Sequence, residues 1–435
     1  MGLGILGGGL TGLTIGYLLK KQNLDFEILE KNNECGGLCR TIQEDGFTFD
    51  IAGGHIIFSK DKGILNFKLD ILGDNKVRSK RNTKIFYKDR FVKYPFENGL
   101  SGLPKEDNFE CLNGFIKTLN RKYNTPKNFN EWIYQTFGKG IAEKYMIPYN
   151  EKIWNFKTEN MATFWVDGRI PKPPSEDIIK SSLGIETEGY THQSYFHYPK
   201  QGGIQALIHP LEEKIKDKIT KEFRITSIKK EEGKWVVYGN NEKKVFDQIV
   251  STMPLIDLVN LLDEVPEEII NAINKLKYNS LITVMLGLDT DKLNDLHWLY
   301  IPNRNVLPHR IVFPKNNSFY MTPEGKSSVV AEITFNDGDN ISRMKDDEII
   351  KKVIDDLDDK KIIDKNLVCY RKIIRLKYAY VVYDLEYEKN IIKIHKFFEG
   401  LGIDLCGRFS EYKYLNMDAC IKSARDYVKN NNFIQ

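Results

Sequence analysis

The sequence has few of the residues and patterns that mark metalloproteins, disulfide-stabilised proteins or membrane proteins. Its six cysteines and seven histidines are scattered over 435 residues and form no spacing such as CxxC or HExxH. Scattered cysteines suit a reducing compartment, so we expect a cytoplasmic protein without a metal site. No apolar run approaches the roughly 18 residues of a transmembrane helix, and the chain opens directly into a strand rather than a signal peptide.

An excess of charge of one sign is also missing. The 64 lysines and arginines nearly balance the 60 aspartates and glutamates, which leaves a formal net charge of +4. This balance gives no reason to expect nucleic acid or a membrane surface as a partner. The length suffices for two or three domains around a large core, and the aromatic content of 12% suggests a ligand cleft.

The most informative stretch lies at the start of the chain. A short apolar run, Leu3–Leu6, precedes a glycine-rich turn, and an apolar helical pattern follows over residues 13–19. The turn fits GxGxxG, in which Gly7 makes the tight turn, Gly9 lets the backbone approach a pyrophosphate and Gly12 allows close helix–strand packing. The free amides at the start of such a helix attract phosphate. The alternative is a glycine-rich turn that binds nothing.

The residues that follow indicate which dinucleotide is bound. A second strand ends at Glu30, whose carboxylate can accept hydrogen bonds from an adenosine ribose. A second glycine pair follows at residues 36–37 and a third at residues 53–54, the latter directly before His55. This combination resembles the FAD-binding, glutathione-reductase-like group, which includes amine oxidases, phytoene desaturases and UDP-galactopyranose mutases. The resemblance implies FAD as the cofactor.

The rest of the chain reads as helical and strand-like regions in turn. In the helical region Phe129, Ile133, Phe137 and Ile141 recur every fourth residue, as on the buried face of a helix. We predict a hairpin over residues 84–92, helices between residues 104 and 185 with a break at Pro148, and helices over residues 204–215, 349–357 and 417–428. We predict strands of the nucleotide domain at residues 225–228 and 234–238, a further strand over residues 246–254 that ends at a turn, and strands of an antiparallel sheet at residues 281–288, 298–301, 310–313 and 327–335.

We therefore expect an α/β protein with an FAD-binding, Rossmann-like domain, an antiparallel substrate sheet and an inserted helical domain. The FAD-binding domain is expected to be discontinuous, because its strands recur late in the chain. The expected limits are residues 1–67, 196–257 and 386–435 for the FAD-binding domain, residues 96–195 for the helical domain, and residues 68–95 and 258–385 for the substrate sheet.

Further motifs, in order along nearly the whole chain, resemble those of eukaryotic-type UDP-galactopyranose mutases. They are the histidine loop at residues 53–59, YPFEN at 94–98, PYNEKIW at 148–154, Trp165 with Arg169, WLYIP at 298–302 followed by Arg310, and GRF at 407–409 followed by Tyr414. The chain departs from the family pattern at three places. Glu97 replaces a glutamine, residues 416–419 lack the usual histidine, and residues 380–385 match only loosely. The departures concern the substrate more than the flavin.

The resemblance implies an isomerase of nucleotide-linked sugars. Members of that family interconvert pyranose and furanose forms through an adduct between N5 of the reduced flavin and the sugar. Reduced FAD would be the active cofactor, NADH or NADPH the reductant, and a UDP-sugar the substrate. Arginine suits the diphosphate, because its planar fork stays charged and binds two oxygens at once.

The resemblance also implies roles for individual residues. His55 is expected to accept a hydrogen bond from flavin N5–H through its backbone carbonyl. The catalytic residues would be His55, Arg169, Arg310 and Arg408, and the substrate contacts Asn150, Trp154, Tyr300, Tyr380 and Tyr414. The cofactor contacts would be Gly7, Gly9, Leu10, Thr11, Gly12, Glu30, Lys31, Gly37, Leu38, Gly53, Gly54, His55, Ile225, Arg408 and Met417.

Two other functions stay open on the sequence alone. An FAD-dependent oxidoreductase of the amine oxidase or protoporphyrinogen oxidase-like type would need an apolar, aromatic-lined pocket and no diphosphate clamp. The other is a flavin-binding protein without catalytic activity, in which the mutase-like motifs would not be needed. The three arginines at motif positions favour the mutase.

Overall fold

The computed structural model describes residues 2–170, 172–187 and 194–431. The strands are β1 Leu3–Leu6, β2 Phe26–Leu29, β3 Thr41–Glu44, β4 Phe47–Asp50, β5 Val77–Lys80, β6 Thr83–Tyr87, β7 Arg90–Lys93, β8 Tyr195–Tyr198, β9 Ile219–Thr220, β10 Ile225–Glu231, β11 Lys234–Gly239, β12 Glu242–Phe246, β13 Gln248–Ser251, β14 Lys277–Leu288, β15 Trp298–Tyr300, β16 Arg310–Val312, β17 Ser327–Phe335, β18 Val368–Val382 and β19 Ile403–Leu405. The helices are α1 Leu10–Lys20, α2 Lys62–Leu72, α3 Lys105–Leu119, α4 Phe129–Ile141, α5 Ile147–Trp154, α6 Ser175–Ser182, α7 His209–Ile215, α8 Leu255–Val259, α9 Glu267–Lys275, α10 Pro314–Asn317, α11 Asn340–Arg343, α12 Asp346–Asp359, α13 Tyr387–Leu401 and α14 Met417–Asn430. Among the described residues, no helix combines the length and the apolar character needed to cross a bilayer.

A parallel five-stranded sheet carries the glycine-rich start of the chain. Its strand order is β19-β13-β1-β2-β9, and every neighbouring pair is parallel. The central strand β1 is buried along its whole length, as expected for a short apolar strand that is covered on both faces. Helix α1 packs against α7 and α14. The chain leaves this sheet after β2, after β9 and after β13 and returns to it each time.

The strands predicted at residues 225–228 and 234–238 form, but they do not belong to the parallel sheet. β10, β11 and β12 make an antiparallel sheet of their own. The ring of Phe246 on β12 covers Gly4 of β1, where a Cβ atom would lie 2.6 Å from the ring. The missing side chain of Gly4 therefore lets the small sheet pack directly against the parallel one.

A seven-stranded sheet forms the opposite half of the molecule, with the order β18-β14-β17-β16-β15-β6-β7. The prediction of an antiparallel sheet is correct for most strand pairs but wrong for one. β15 and β6, which are distant in sequence, run parallel. The prediction lacks strand β18, because lysine and arginine interrupt the apolar residues along its first part, in which half-buried and exposed residues are mixed. Such charges are typical of an edge strand. The domain limits given above stay a prediction.

The helices α3 to α6 form the helical region. Phe129, Ile133, Phe137 and Ile141 are fully buried, as predicted. The predicted break at Pro148 is wrong. Proline lacks an N–H, and the first turn of α5, where Pro148 lies, does not need one. The predicted helix over residues 204–215 starts as a 3₁₀ turn, Ile204–Leu207, and becomes α-helical at α7.

The helical pattern is instead interrupted at Gly138 and in a π-helical turn, Ala142–Met146. Gly138 has φ +73°, and a Cβ atom there would lie 2.2 Å from the carbonyl oxygen of Gly114 on α3. The backbones of α3 and α4 therefore touch at this point. A side chain at Gly138 would force the two helices apart.

We expect Gly138→Ala to destabilise the protein more than Gly168→Ala. Gly168 has a similar φ of +76°, but a Cβ atom there would have no neighbour within 4 Å. Both substitutions place a side chain on backbone of positive φ, which costs about 1–2 kcal/mol. Only Gly138→Ala adds a clash with the backbone of α3. Thermal unfolding of the two variants and the wild type measures the difference. Equal midpoints for the two variants would contradict the close approach of α3 and α4.

Candidate active site

A cavity of about 850 Å³ lies where the parallel sheet meets the seven-stranded sheet. The turns after β1 and β2 contribute Gly9 and Glu30, and the seven-stranded sheet contributes Tyr300, Arg310 and Tyr380. The volume is within the range of small-molecule sites, and the carboxyl ends of parallel strands are where α/β proteins bind ligands.

The first glycine turn has the shape that a dinucleotide requires. A Cβ atom on Gly12 would lie 2.0 Å from the carbonyl oxygen of Gly7, so only glycine lets α1 start this close to β1. A Cβ atom on Gly9 would have no protein neighbour within 4 Å and would project into open space. The backbone N–H of Gly36 donates to the carbonyl of Gly8 over 2.8 Å, which joins the first and second glycine turns. The open space at Gly9 fits a pyrophosphate.

Glu30 lies beside this turn with its carboxylate buried. One oxygen accepts a hydrogen bond from the N–H of Gly8 over 2.8 Å. The other accepts from the backbone and side-chain amides of Asn32 over 2.9 and 2.7 Å. Oε1 thus uses both of its lone pairs, whereas Oε2 keeps one, so Glu30 can still accept a bond from a ribose through Oε2. The glycine turns and Glu30 together fit FAD, and they would hold its pyrophosphate and adenosine ribose.

A buried ion pair occupies the other wall of the cavity. Arg310 begins β16, and Glu332 lies opposite it on β17. The guanidinium donates from Nε to Oε1 over 2.8 Å and from Nη2 to Oε2 over 2.6 Å. The Glu332 side chain is fully buried, and that of Arg310 is 19% exposed. Burial alone would lower the pKa of Arg310, but the charge of Glu332 raises it well above its usual value.

Arg310 and Arg408 make the region around His55 electropositive. Burial, reinforced by these two arginines, lowers the pKa of His55 to about 4, so the imidazole is neutral at neutral pH. Burial also raises the pKa of Tyr380, whose phenol therefore keeps its proton. The wall thus offers positive charge and neutral O–H donors. Such a wall suits an anionic ligand.

Arg408 and Arg169 are both tied to the segment that leads into α14. Arg408 donates to the carbonyls of Leu415 and Ala379, while its Nε is buried without a partner. Arg169 donates to the carbonyl of Tyr414. The two guanidinium carbons lie 4.4 Å and 4.3 Å from the centre of the Tyr414 ring. Both arginines therefore fix Tyr414, and only Arg408 lines the cavity.

The structure brings most of the predicted site residues together in one cavity. Those that line it are Gly7, Gly9, Leu10, Thr11, Glu30, Lys31, Gly37, Leu38, Gly54, His55, Ile225, Tyr300, Arg310, Tyr380, Arg408, Tyr414 and Met417. Those that lie behind the lining are Gly12, Gly53, Asn150, Trp154 and Arg169. Asn150 and Trp154 bond to each other, since indole Nε1 donates to the amide oxygen over 3.2 Å, and the Trp154 ring packs edge-on against Tyr380 and Tyr414.

The predicted set lacks several residues of the site and its support, among them Arg81, Tyr94, Trp298 and Glu332. Arg81, Tyr94 and Trp298 line the cavity, and the Arg81 guanidinium lies 4.5 Å and 4.8 Å from the centres of the Tyr94 and Trp298 rings. Tyr94 and Trp298 belong to motifs noted above, whereas Arg81 gives no signal in the sequence. Glu332 does give one, because it is a lone charge in a strand that is otherwise apolar or small and polar.

Comparison with known proteins places the chain in a family. The sequence profile described as flavin containing amine oxidoreductase matches residues 10–366. The chain belongs to this family. The flavin-containing amine oxidoreductases bind a flavin, in agreement with the cavity and its glycine turns.

Individual relatives add detail. A crystal structure of reduced UDP-galactopyranose mutase has a TM-score of 0.92 with 24% identity, over 100% of this chain and 96% of that one. It confirms the predicted fold class and the likeness to that group of flavoproteins. The dTDP-fucopyranose mutase of Escherichia coli is 22% identical over 218 residues, 45% of this chain and 54% of its own length. An inactive all-trans-retinol 13,14-reductase of Danio rerio is 32% identical over 73 residues, 17% of this chain and 12% of its own. The matches thus span about half or less of these two curated relatives.

We expect Gly9→Ala to abolish or weaken flavin binding without unfolding the protein. The added methyl group would fill the space over the turn, so FAD affinity should fall at least tenfold, roughly 1.4 kcal/mol. Gly400→Ala is the matched control, since its Cβ atom also has no neighbour within 4 Å but lies on α13. The flavin-to-protein absorbance ratio measures occupancy, and the melting temperature of the flavin-free protein measures folding. A Gly9→Ala protein that is as yellow as the wild type would refute this placement of the cofactor.

Proposed function

We propose that the protein is a flavin-dependent nucleotide-sugar mutase, similar to UDP-galactopyranose mutase. It would interconvert the pyranose and furanose forms of a UDP-linked sugar and would need reduced FAD, with NADH or NADPH as the reductant. The observation that carries this proposal is the buried Arg310, held in place by Glu332 and facing the same cavity as the glycine turns. A fixed, always-charged guanidinium beside a dinucleotide site suits a second, anionic ligand.

The electrostatics of the cavity support an anionic substrate over a cationic one. Arg310 and Arg408 line the cavity together, and His55 between them stays neutral because of them and of burial. The carboxylate nearest to Arg310, that of Glu332, is already engaged by it. A protonated amine would be repelled from this wall, whereas a diphosphate would be attracted.

The roles of the side chains follow from their remaining hydrogen-bonding capacity. Glu332 accepts one bond each from Nε and Nη2 of Arg310, so both N–H groups of Nη1 and the second N–H of Nη2 would be left for diphosphate oxygens. The phenols of Tyr300 and Tyr380 would donate to the same group, and Arg408 would act as a positive charge on the flavin side. The backbone carbonyl of His55 would accept from the flavin. When bound and reduced, the flavin supplies a nucleophilic nitrogen for the anomeric carbon of the sugar.

A FAD-dependent oxidoreductase is the second candidate. The family to which the chain belongs is described by amine oxidation, and the cavity has aromatic walls at Tyr94 and Trp298. Aromatic walls suit an apolar or amine substrate as well as a nucleotide. The two candidates differ in redox balance, which an experiment can measure.

We expect the mutase reaction to need reduced flavin and to consume no net electrons, because isomerisation is redox-neutral. The experiment incubates the protein with UDP-galactopyranose, with and without dithionite, under anaerobic conditions and follows the furanose by chromatography. Many turnovers per equivalent of reductant should occur, and none without reductant. A parallel reaction with dTDP-fucopyranose tests the nucleotide and the sugar. Stoichiometric consumption of oxygen with an amine, and no furanose, would favour the oxidoreductase.

We expect Arg310→Ala to weaken UDP binding by one to two orders of magnitude. The lost charge-assisted hydrogen bond is worth roughly 1.5–3 kcal/mol. Arg310→Lys should recover part of the affinity, because the charge remains but the fork is lost. The measurement is UDP titration followed by flavin fluorescence, with FAD content as the test of folding.

Two further variants separate binding from folding. Arg310→Ala leaves the carboxylate of Glu332 buried and unpaired, and the double variant Arg310→Ala/Glu332→Gln removes that charge. If Arg310 binds the diphosphate, the double variant should have the same reduced UDP affinity as Arg310→Ala. Arg375→Ala is the surface control, since Arg375 pairs with Asp346 away from the cavity lining. Normal UDP affinity in the double variant would rule out Arg310 as the diphosphate ligand.

A further inference from the structure

Lys152, within the motif PYNEKIW on α5, lies in a cage of backbone carbonyls. Its Nζ donates to the carbonyl oxygens of Ile301 over 3.0 Å, Asn303 over 2.7 Å, Val306 over 2.6 Å and Pro308 over 2.7 Å. An ammonium has three donor hydrogens, so these four acceptors saturate it. Among the described residues no carboxylate lies within ion-pair distance of it. Burial lowers the pKa of Lys152 to about 7. A neutral amine has only two donor hydrogens for these four carbonyls, so the cage favours the ammonium form, which then lies as a cation among dipoles.

The four carbonyls all belong to the loop that joins β15 to β16. Tyr300 ends β15 and Arg310 begins β16, and the two residues lie opposite each other in the antiparallel ladder. The loop thus holds the two ends of the strand pair that carry the proposed diphosphate ligands. Four carbonyl oxygens that converge repel one another, and a positive charge at their centre offsets this repulsion.

The helix that carries Lys152 is fixed to the same sheet from behind. The hydroxyl of Thr334 on β17 donates to the carbonyl of Lys152 over 2.7 Å. The side-chain amide of Asn279 on β14 donates to the carbonyls of Ile153 and Trp154, each over 2.9 Å. The backbone of α5 is therefore anchored to the sheet at three carbonyls, and the Lys152 side chain links this anchored helix to the loop.

Helix α5 also meets the aromatic side of the cavity. The ring of Tyr149 packs edge-on against Tyr300, with centres 5.2 Å apart, and the ring of Trp154 packs against Tyr380 at 5.9 Å. Lys152 lies between these two residues in the sequence of the helix and points to the loop. Helix α5 thus contacts both the tyrosine side of the cavity and the loop that ends at Arg310.

We propose that Lys152 is a positioning residue, whose ammonium gathers the loop over residues 301–308 and so holds Tyr300 and Arg310 at the spacing that an anionic substrate needs. The proposal rests on the proposed function for its consequence in substrate binding. Its structural part, the cage itself, is independent of the substrate. The test therefore measures the hydrogen–deuterium exchange of the loop and the affinity for UDP separately.

The first readout is hydrogen–deuterium exchange of the peptide that covers residues 301–309 in the flavin-bound protein. Lys152→Met keeps the length of the side chain and removes the charge, so exchange in this peptide should become at least roughly tenfold faster. Lys180→Met is the control, because Lys180 lies on α6 and pairs with Glu176 on the same helix through a partly exposed side chain. It should leave the exchange unchanged. An unaltered peptide in Lys152→Met would overturn the proposal.

The second readout is UDP affinity, measured on the same proteins by flavin fluorescence. Lys152→Met should bind UDP at least roughly tenfold more weakly at unchanged FAD content. In Lys152→Ala, added propylammonium should restore both slow exchange and UDP affinity, which a merely structural role would not produce. Faster exchange with wild-type UDP affinity, or a failure of propylammonium to restore either, would refute positioning. If the wild type binds no UDP, the proposed function fails while the exchange experiment still tests the cage.

Discussion

The buried ion pair between Arg310 and Glu332 is the interaction on which the cavity depends. Glu332 lies on β17 with a fully buried side chain, and its Oε1 also accepts a weak hydrogen bond from the N–H of Gly54 over 3.2 Å. A Cβ atom on Gly53 would lie 2.2 Å from the same oxygen. One carboxylate therefore orients the guanidinium and holds the histidine loop. Removing one partner of such a pair costs about 3–5 kcal/mol, because the other charge stays buried.

The ion pair also explains why the two halves of the molecule form one site. The glycine turns come from the parallel sheet, and Arg310 comes from the seven-stranded sheet. The loop at residues 53–55 belongs to the segment that leaves the parallel sheet, and Glu332 is where the other sheet contacts it. The ion pair with Arg310, the hydrogen bond from Gly54 and the absence of a side chain at Gly53 thus all involve the carboxylate of Glu332.

The features that could be predicted from sequence are those whose physical cause is local. The turn at residues 7–12 is determined by neighbouring strand, glycine and helix signals, and the apolar period of α4 by residues four apart. The features that were missed depend on distant partners. Glu332 stands out in the sequence as a lone charge in its strand, but its role is defined only by its distant partners Arg310 and Gly54. The paired strands β6 and β15 are more than two hundred residues apart.

Errors in the prediction have similar causes. Proline was read as a helix break at residue 148, although its place in the first turn of α5 makes it harmless. The substrate contacts of Asn150 and Trp154 stay a prediction, and in the structure these residues bond to each other while the Trp154 ring packs against Tyr380 and Tyr414. Motif residues can therefore act one layer away from the ligand.

The most direct test of the central claim is the charge of the ligand that the cavity accepts. Isothermal titration of the wild-type flavoprotein with UDP-galactose and, separately, with a diamine such as putrescine compares an anion and a cation at the same site. The account predicts binding of the nucleotide sugar, weakening as salt is added, and no binding of the diamine. Saturable binding of the diamine without binding of the nucleotide sugar would contradict it.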